Sequence, residues 1–248
     1  ARMLSEAEFM RLFREEAGAL LAIPNHENLA SLVTFDAGAR PKPILVMELI
    51  AGASLDRILR SNTLTMERAF LYLDGILAGL EAMHAVGVGH LDLKPSNVIL
   101  RDGITPVLVD FGLSGRHLRP GCGTLEYTSP EVLGVPPEGS SATPPAADVY
   151  AFACLAFEML TGELLFDAPD ELAIVSAHLT HDGWPPKLAQ LESEPIASRV
   201  ARMLGACLRR EPALRPTASK LRAFFREEMP HVAHAAWPLR GARRAATG

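Results

Sequence analysis

Between residues 5 and 21 the apolar side chains Phe9, Met10, Leu12, Phe13, Leu20 and Leu21 recur at helical spacing among Glu and Arg, which predicts an amphipathic first helix. Ser5 with Glu8 three positions on reads as its capping box, and Pro24-Asn25 as its end. The runs Leu29 to Phe35 and Pro43 to Leu49 read as strands on either side of a turn from Gly38 to Lys42. Beyond Gly52 the pattern turns helical over Ser54 to Arg60 and Met66 to Val86. Short apolar runs at Val98 to Leu100 and Pro106 to Val109 then flank Asp102-Gly103, a hairpin signal. Further helices are predicted over Asp148 to Thr161, Asp170 to Leu179, Ile196 to Leu208 and Ser219 to Met229. The segment from Pro136 to Pro145, with four prolines, reads as a surface loop, and the tail from Pro230 onward as poorly ordered. No internal repeat is present.

Composition narrows this picture. At 48% hydrophobic and 21% charged residues the 248-residue chain is globular rather than disordered. A formal charge of −5 gives no reason to expect nucleic acid or anionic lipid as a partner. Three scattered cysteines, Cys122, Cys154 and Cys207, make neither a disulfide framework nor a zinc site and favour a reducing, cytoplasmic setting. No stretch reaches the ~18 apolar residues of a membrane span; the longest candidate, Val149 to Leu160, is interrupted by Glu158. The first residue is Ala1, with no signal-peptide layout after it, so the chain is expected to begin inside a longer one. Abundant Ala, Arg and Pro point to a high-GC bacterial source.

The densest chemistry lies in Gly89-His90-Leu91-Asp92-Leu93-Lys94-Pro95-Ser96-Asn97-Val98-Ile99-Leu100, which puts an acid, a base and an amide between a long helix and a strand. Phosphoryl transfer needs such a set: a carboxylate to orient a hydroxyl and take its proton, a cation to neutralise the moving phosphoryl, and an oxygen ligand for magnesium. Asp110-Phe111-Gly112 follows beyond the hairpin, where an Asp can supply a second oxygen to hard Mg²⁺ and Gly112 frees the backbone to turn.

These residues resemble the catalytic and magnesium loops of eukaryotic-type protein kinases, His-x-Asp-Leu-Lys-Pro-x-Asn followed by Asp-Phe-Gly. The resemblance extends to Gly123-Thr124, Tyr127 and Ser129-Pro130-Glu131, similar to the end of an activation segment. Asp148 resembles the buried acid that holds the catalytic loop's backbone, and Arg215 the arginine that pairs with Glu131. It implies Asp92 as base, Lys94 as the γ-phosphate contact, and Asn97 and Asp110 as magnesium ligands. Thr124 resembles the threonine that bridges Asp92 and Lys94. Leu45 to Ile50 resembles the strand and hinge that meet adenine, with Met47 as gatekeeper, the backbones of Glu48 and Ile50 on the purine and Ile99 against its face. Spacing alone places Met47 equally well in the core. Glu16, with Glu15 as fallback, is the candidate for the glutamate that pairs with the small-lobe lysine; both could equally be acids on a solvated face. The implied cofactors are ATP and Mg, and Lys94 favours Ser/Thr protein substrates over tyrosine ones.

The fold implied is α+β, a protein-kinase-like two-lobed arrangement: residues 1–52 a remnant of the small lobe and hinge, 53–229 the large lobe, 230–248 a C-terminal tail. Two departures from the family pattern stand out. Leu91 replaces the arginine that commonly binds a phosphorylated activation loop, so activity should not depend on phosphate there. The Gly-rich loop and the Val-Ala-x-Lys lysine are absent before Glu16, which makes the chain read as an N-terminally truncated and catalytically impaired kinase domain. The alternatives are a pseudokinase scaffold, and a small-molecule kinase of the aminoglycoside or choline type. Oligomeric state is left open.

Overall fold

The run from Met66 to His84 is apolar on nearly every side, and it forms the 19-residue helix around which the computed structural model is organised. The structure describes residues 18–36, 44–136 and 139–239. Of the expected first helix, residues 18–21 are helical; Glu15, Glu16 and the turn from Gly38 to Lys42 lie outside the described residues.

Strands β1 (Leu32–Asp36) and β2 (Ile44–Met47) form an antiparallel pair with Asp36 opposite Ile44, Thr34 opposite Val46 and an irregularity between Leu32 and Thr34. A second, three-stranded sheet has the order β3-β4-β5, from β3 (Gly52–Ser54), β4 (Val98–Arg101) and β5 (Thr105–Leu108). The β4–β5 pair is the hairpin expected around Asp102-Gly103, both residues having positive φ. Strand β3 was not expected, because three residues beginning with Gly carry no alternation. Gly52 is needed there: a Cβ would lie 2.1 Å from the Leu100 carbonyl oxygen.

The helices are α1 (Leu55–Arg60), α2 (Met66–His84), α3 (Pro144–Thr161), α4 (Glu171–Leu179), α5 (Pro186–Glu192), α6 (Ser198–Cys207) and α7 (Ala218–Val232). Helix α2 packs along α7 and against β5 and α3. Phe225 of α7 meets Phe70 of α2 at 5.7 Å and Phe152 of α3 at 5.6 Å between ring centroids. On the rim of that contact Arg222 and Arg226 both reach Asp74.

The loop ahead of β1 is pinned to α2 and β5. Leu108 donates its N–H to the Asn28 carbonyl, Ala30 donates to the Leu108 carbonyl, and the buried Asn28 amide donates to Pro106 O at 2.8 Å. This close approach crosses α2 where it carries Gly75, whose Cβ would stand 2.5 Å from Pro106 Cγ.

Three expectations need correction. The segment from Pro136 to Pro145 is not a surface loop to its end, since α3 begins at Pro144. There the missing proline N–H is no loss, and Thr143 caps the helix by accepting from Ala146 N. Helix α5 was missed in the Pro-rich stretch before it, although Pro186 sits in the first turn of α5 for the same reason. The described part of the tail, Pro230 to Leu239, is ordered, and residues 240–248 lie outside the described residues. Helix α7 runs through the exposed Pro230 to a buried Val232. The Trp237 indole N–H then donates to Met159 O at 2.8 Å and the Leu239 N–H to Leu160 O at 2.9 Å. With Gly162 N on Glu158 O and the Thr161 hydroxyl on Phe157 O, all four of these last-turn carbonyls of α3 have donors. Among the described residues no helix is long and apolar enough to cross a membrane.

Candidate active site

Helix α2 ends at His84, and the chain passes through Gly87 (φ 74°) into residues 89–97, which lie between α2 and β4. Asp148, fully buried in the second turn of α3, shapes this passage. Its Oδ2 accepts from His90 N at 2.7 Å and lies 2.8 Å from His84 Nε2; its Oδ1 accepts from Leu91 N at 2.8 Å. These bonds hold Leu91 at φ 64°, a left-handed conformation that costs a residue with a Cβ roughly 1–2 kcal/mol.

His90 is buried without exposure, and burial pushes its imidazole below the ordinary range, so it is neutral. Its Nε2–H donates to Val109 O at 3.0 Å and its Nδ1 accepts from Asp92 N. Phe111 meets this ring edge-on at 5.7 Å. His90 thus ties the loop carrying Asp92 to the residue before Asp110.

Three polar side chains converge on Asp92. Lys94 Nζ donates to Asp92 Oδ2 at 2.8 Å and to Thr124 Oγ1 at 2.8 Å, and Thr124 donates its own hydroxyl proton to Asp92 Oδ1 at 3.0 Å. Asn97, buried in a short 3₁₀ turn, commits its amide nitrogen to Asp92 O and Asp92 Oδ2 at 2.9 and 3.0 Å. The open end of that amide is its oxygen. Asp110 is exposed at φ 63°, a conformation Asp tolerates, and its Oδ1 accepts from Gly112 N at 3.3 Å. One carboxylate and one amide oxygen form a sparse protein ligand set, the kind that suits Mg²⁺, which keeps several waters and leans on substrate phosphates. Among the described residues no group of three or more His, Cys, Asp or Glu is placed to hold a metal.

On the hinge side, Met47, Glu48 and Ile50 are half-buried and Leu49 is 93% exposed. The Glu48 N–H already donates to Ser31 O at 2.8 Å, so only its carbonyl is open toward a ligand. Its side chain was overlooked in the sequence. Glu48 Oε1 pairs with Arg101 of β4 at 2.8 Å, which links the hinge to the strand carrying Ile99. Ile99 lies on the less buried face of β4, opposite Val98 and Leu100. Glu16 lies outside the described residues.

The segment from Asp110 to Glu131 is pinned along its length. Gly89 and Gly115 exchange two backbone bonds, the buried Ser114 hydroxyl donates to His90 O, and the Arg119 guanidinium donates to Gly112 O. Tyr127 donates its hydroxyl to Glu158 Oε2 at 2.6 Å. Burial, with Asp56 and Glu126 nearby, raises the Glu158 carboxyl above the usual range. Arg215 meets Glu131 bidentately at 2.6 and 2.9 Å with both side chains wholly buried. The structure thus brings together Asp92, Lys94, Asn97 and Thr124, and pairs Arg215 with Glu131. The hydrogen bonds of His84 and of Ser114 had no sequence signal, because both depend on partners far along the chain.

This α+β framework, with an acid, a lysine and an amide gathered on one loop and Asp110 just beyond the β4–β5 hairpin, is that of a protein kinase domain. The protein kinase domain model matches residues 4–224, and the chain belongs to that family. The chain is similar to bacterial serine/threonine-protein kinases. It is 33% identical to PkaA of Streptomyces coelicolor, over 88% of this chain and 40% of that protein. It is 32% identical to PkaB of the same organism, over 93% and 56%, and 31% identical to PknK of Mycobacterium bovis, over 84% and 19%. The chain therefore spans between about a fifth and just over half of the length of these relatives.

Proposed function

We propose that this domain transfers the γ-phosphoryl group of ATP, with Mg²⁺, to Ser or Thr hydroxyls of protein substrates. The observation that carries the reading is the set of bonds converging on Asp92. Oδ2 is occupied by two donors, Lys94 and Asn97, while Oδ1 receives only the Thr124 hydroxyl. Oδ1 is therefore the oxygen with a lone pair to spare for an incoming hydroxyl proton. As the substrate oxygen bonds to phosphorus and the bond to the ADP oxygen breaks, the proton passes to Asp92. Lys94, already within reach of Asp92 and Thr124, supplies positive charge beside the transferring group. Asn97 Oδ1 and Asp110 would hold the magnesium ion, whose charge offsets that of the phosphates. Met47, the Glu48 carbonyl, the Ile50 N–H and Ile99 would receive the adenine. Glu16 is assigned the pairing with the small-lobe lysine. A threonine at 124 and a lysine at 94 favour Ser/Thr acceptors, and the names of the relatives agree.

The test is transfer of labelled phosphate from ATP to a general protein acceptor such as casein by the full-length protein, beside Asp92→Asn. The variant keeps the shape of the site and should lose roughly 10²–10⁴-fold in kcat with its ATP affinity retained. Equal rates in the two proteins, or transfer to an aminoglycoside and to no protein, would refute the assignment.

A further inference from the structure

Behind the activation segment lies a buried polar cluster that phosphoryl transfer as described does not use. Tyr150 of α3 and His178 of α4 are 0% and 1% exposed, and His181 follows α4 directly. Tyr150 Oη lies 2.8 Å from His178 Nδ1 and 3.3 Å from His181 Nε2. Phe166 covers the group, its ring centroid 3.8 Å from that of His178 and 5.4 Å from that of His181. On the other side of Tyr150, the Arg215 guanidinium sits 5.1 Å above the phenol ring.

The direction of every bond in this cluster follows from one backbone contact. Gly183 donates its N–H to His181 Nδ1 at 3.0 Å, so that nitrogen carries a lone pair. Burial holds both imidazoles well below their ordinary range, at about 3 for His178 and about 4 for His181, and the Tyr150 phenol above its own, so all three groups are neutral. A neutral His181 with a bare Nδ1 bears its proton on Nε2 and donates it to Tyr150 Oη. Tyr150 then donates to His178 Nδ1, which leaves the His178 proton on Nε2. That nitrogen is buried with no partner at full hydrogen-bond geometry, and with Nδ1 taken by Tyr150 it is the ring nitrogen left for the Leu125 backbone, which bears on this ring. The reverse polarity would set a bare Nε2 against the Leu125 carbonyl, lone pair to lone pair. Helix α4 packs on the Leu125–Tyr127 turn, so the relay ends one residue from Thr124.

We propose that His178 is a positioning residue: the relay Gly183, His181, Tyr150, His178 delivers an N–H to the Leu125 carbonyl and so fixes Thr124 beside Asp92 and Lys94. The Leu125 carbonyl already accepts from Thr128 N at 3.2 Å and has a second lone pair for this donor. The proposal rests on the phosphoryl-transfer reading only for what Thr124 does; the relay itself is measurable without turnover.

Two substitutions separate the two ends of the ring. His178→Asn places its amide near Nδ1, keeping the partner of Tyr150 and removing the donor to Leu125; His178→Gln places an amide near Nε2 and keeps that donor. Imidazole nitrogen NMR at neutral pH should show His178 as the Nε2–H tautomer. Amide hydrogen exchange over residues 124–128 should be about tenfold faster in His178→Asn than in the unsubstituted protein, the cost of one lost hydrogen bond. His178→Gln should stay within about threefold, and the core amides of α2 should be unchanged in both. In the transfer assay His178→Asn should raise KM for the protein acceptor about tenfold and leave KM for ATP alone. The Nδ1–H tautomer, equal exchange in the Asn and Gln variants, or acceleration spread evenly into α2 would overturn the proposal. Loss of turnover in the unsubstituted protein would instead strike the phosphoryl-transfer reading and leave the exchange result standing.

Discussion

Replacing Glu131 by Ala isolates the largest single electrostatic commitment in the structure. The carboxylate accepts two guanidinium N–H groups of Arg215 at 2.6 and 2.9 Å, and neither side chain has solvent exposure. Without it a full positive charge stays buried, and breaking such a pair costs about 3–5 kcal/mol. The lower end applies here, because Arg215 retains the Arg209 carbonyl at 2.8 Å and the Ala146 carbonyl at 2.9 Å. A loss of about 3 kcal/mol in a chain of this size lowers Tm by about 6–12 °C. The assay is urea unfolding of Glu131→Ala, Arg215→Met and the double variant. Arg215→Met should cost more than Glu131→Ala, since it also uncovers the Tyr150 ring beneath the guanidinium. The double variant should be less destabilised than the sum of the two by at least about 1 kcal/mol, because it leaves no charge unpaired. A cost below about 1 kcal/mol for Glu131→Ala, or strict additivity, would show that the pair does not carry the stability assigned to it.

Acid should destabilise the fold through its neutral histidines. His178 is held at about 3 against 6.5 in the unfolded chain, so its contribution is complete above pH 6.5 and falls away as pH drops toward 3; at pH 5 about 2 kcal/mol is lost. His181, at about 4, less enclosed and beside Asp182, adds a smaller share, and the raised Glu158 carboxyl works in the opposite direction. Urea midpoints at pH 7.5 and 5.0 read this out, and a stability unchanged between the two would contradict the neutral assignment. Residues 115–123 contain no Ser, Thr or Tyr, and Ser114 is buried against His90 O. Phosphatase treatment should therefore leave transfer activity unchanged, and a large loss on dephosphorylation, traced by mass spectrometry to residues 110–131, would sink that expectation.

What could be read from the sequence and what could not divide along one physical line. The helices α2 and α7 and the β4–β5 hairpin follow from local periodicity and the Asp102-Gly103 turn, which are short-range features. Asp92, Lys94 and Asn97 were legible because they lie within six positions, so the loop that holds them is itself local. Strand β3 was not, since its partner β4 is far along the chain and Gly52 is chosen for the Leu100 carbonyl that passes over it. The ordered tail had the same cause: Trp237 and Leu239 are held by carbonyls at the end of α3, which no pattern around residue 237 reveals. Pro144 and Pro230 misled for opposite reasons, one starting a helix where a loop was expected and the other being tolerated on an exposed face near a helix end.

The same distinction bears on how the activation segment is held. In a segment ordered by phosphate, the decisive contact is a cation waiting for a charge. Here Leu91 occupies that place, and the segment is fixed by groups already present at folding: Ser114 on His90 O, Thr124 between Lys94 and Asp92, Thr128 on Thr124 O, Tyr127 on Glu158 and Glu131 on Arg215. Four of these five anchors leave the segment: two reach the catalytic loop, one reaches Glu158 of α3, and one reaches Arg215 in the connection between α6 and α7. Thr124 therefore has a defined place before any modification. Two buried donors in this region have no partner at full geometry, His178 Nε2 and the Ser129 hydroxyl. The freedom left to the segment lies at these two groups, because moving Ser114, Thr124, Tyr127, Thr128 or Glu131 would first break a bond already made.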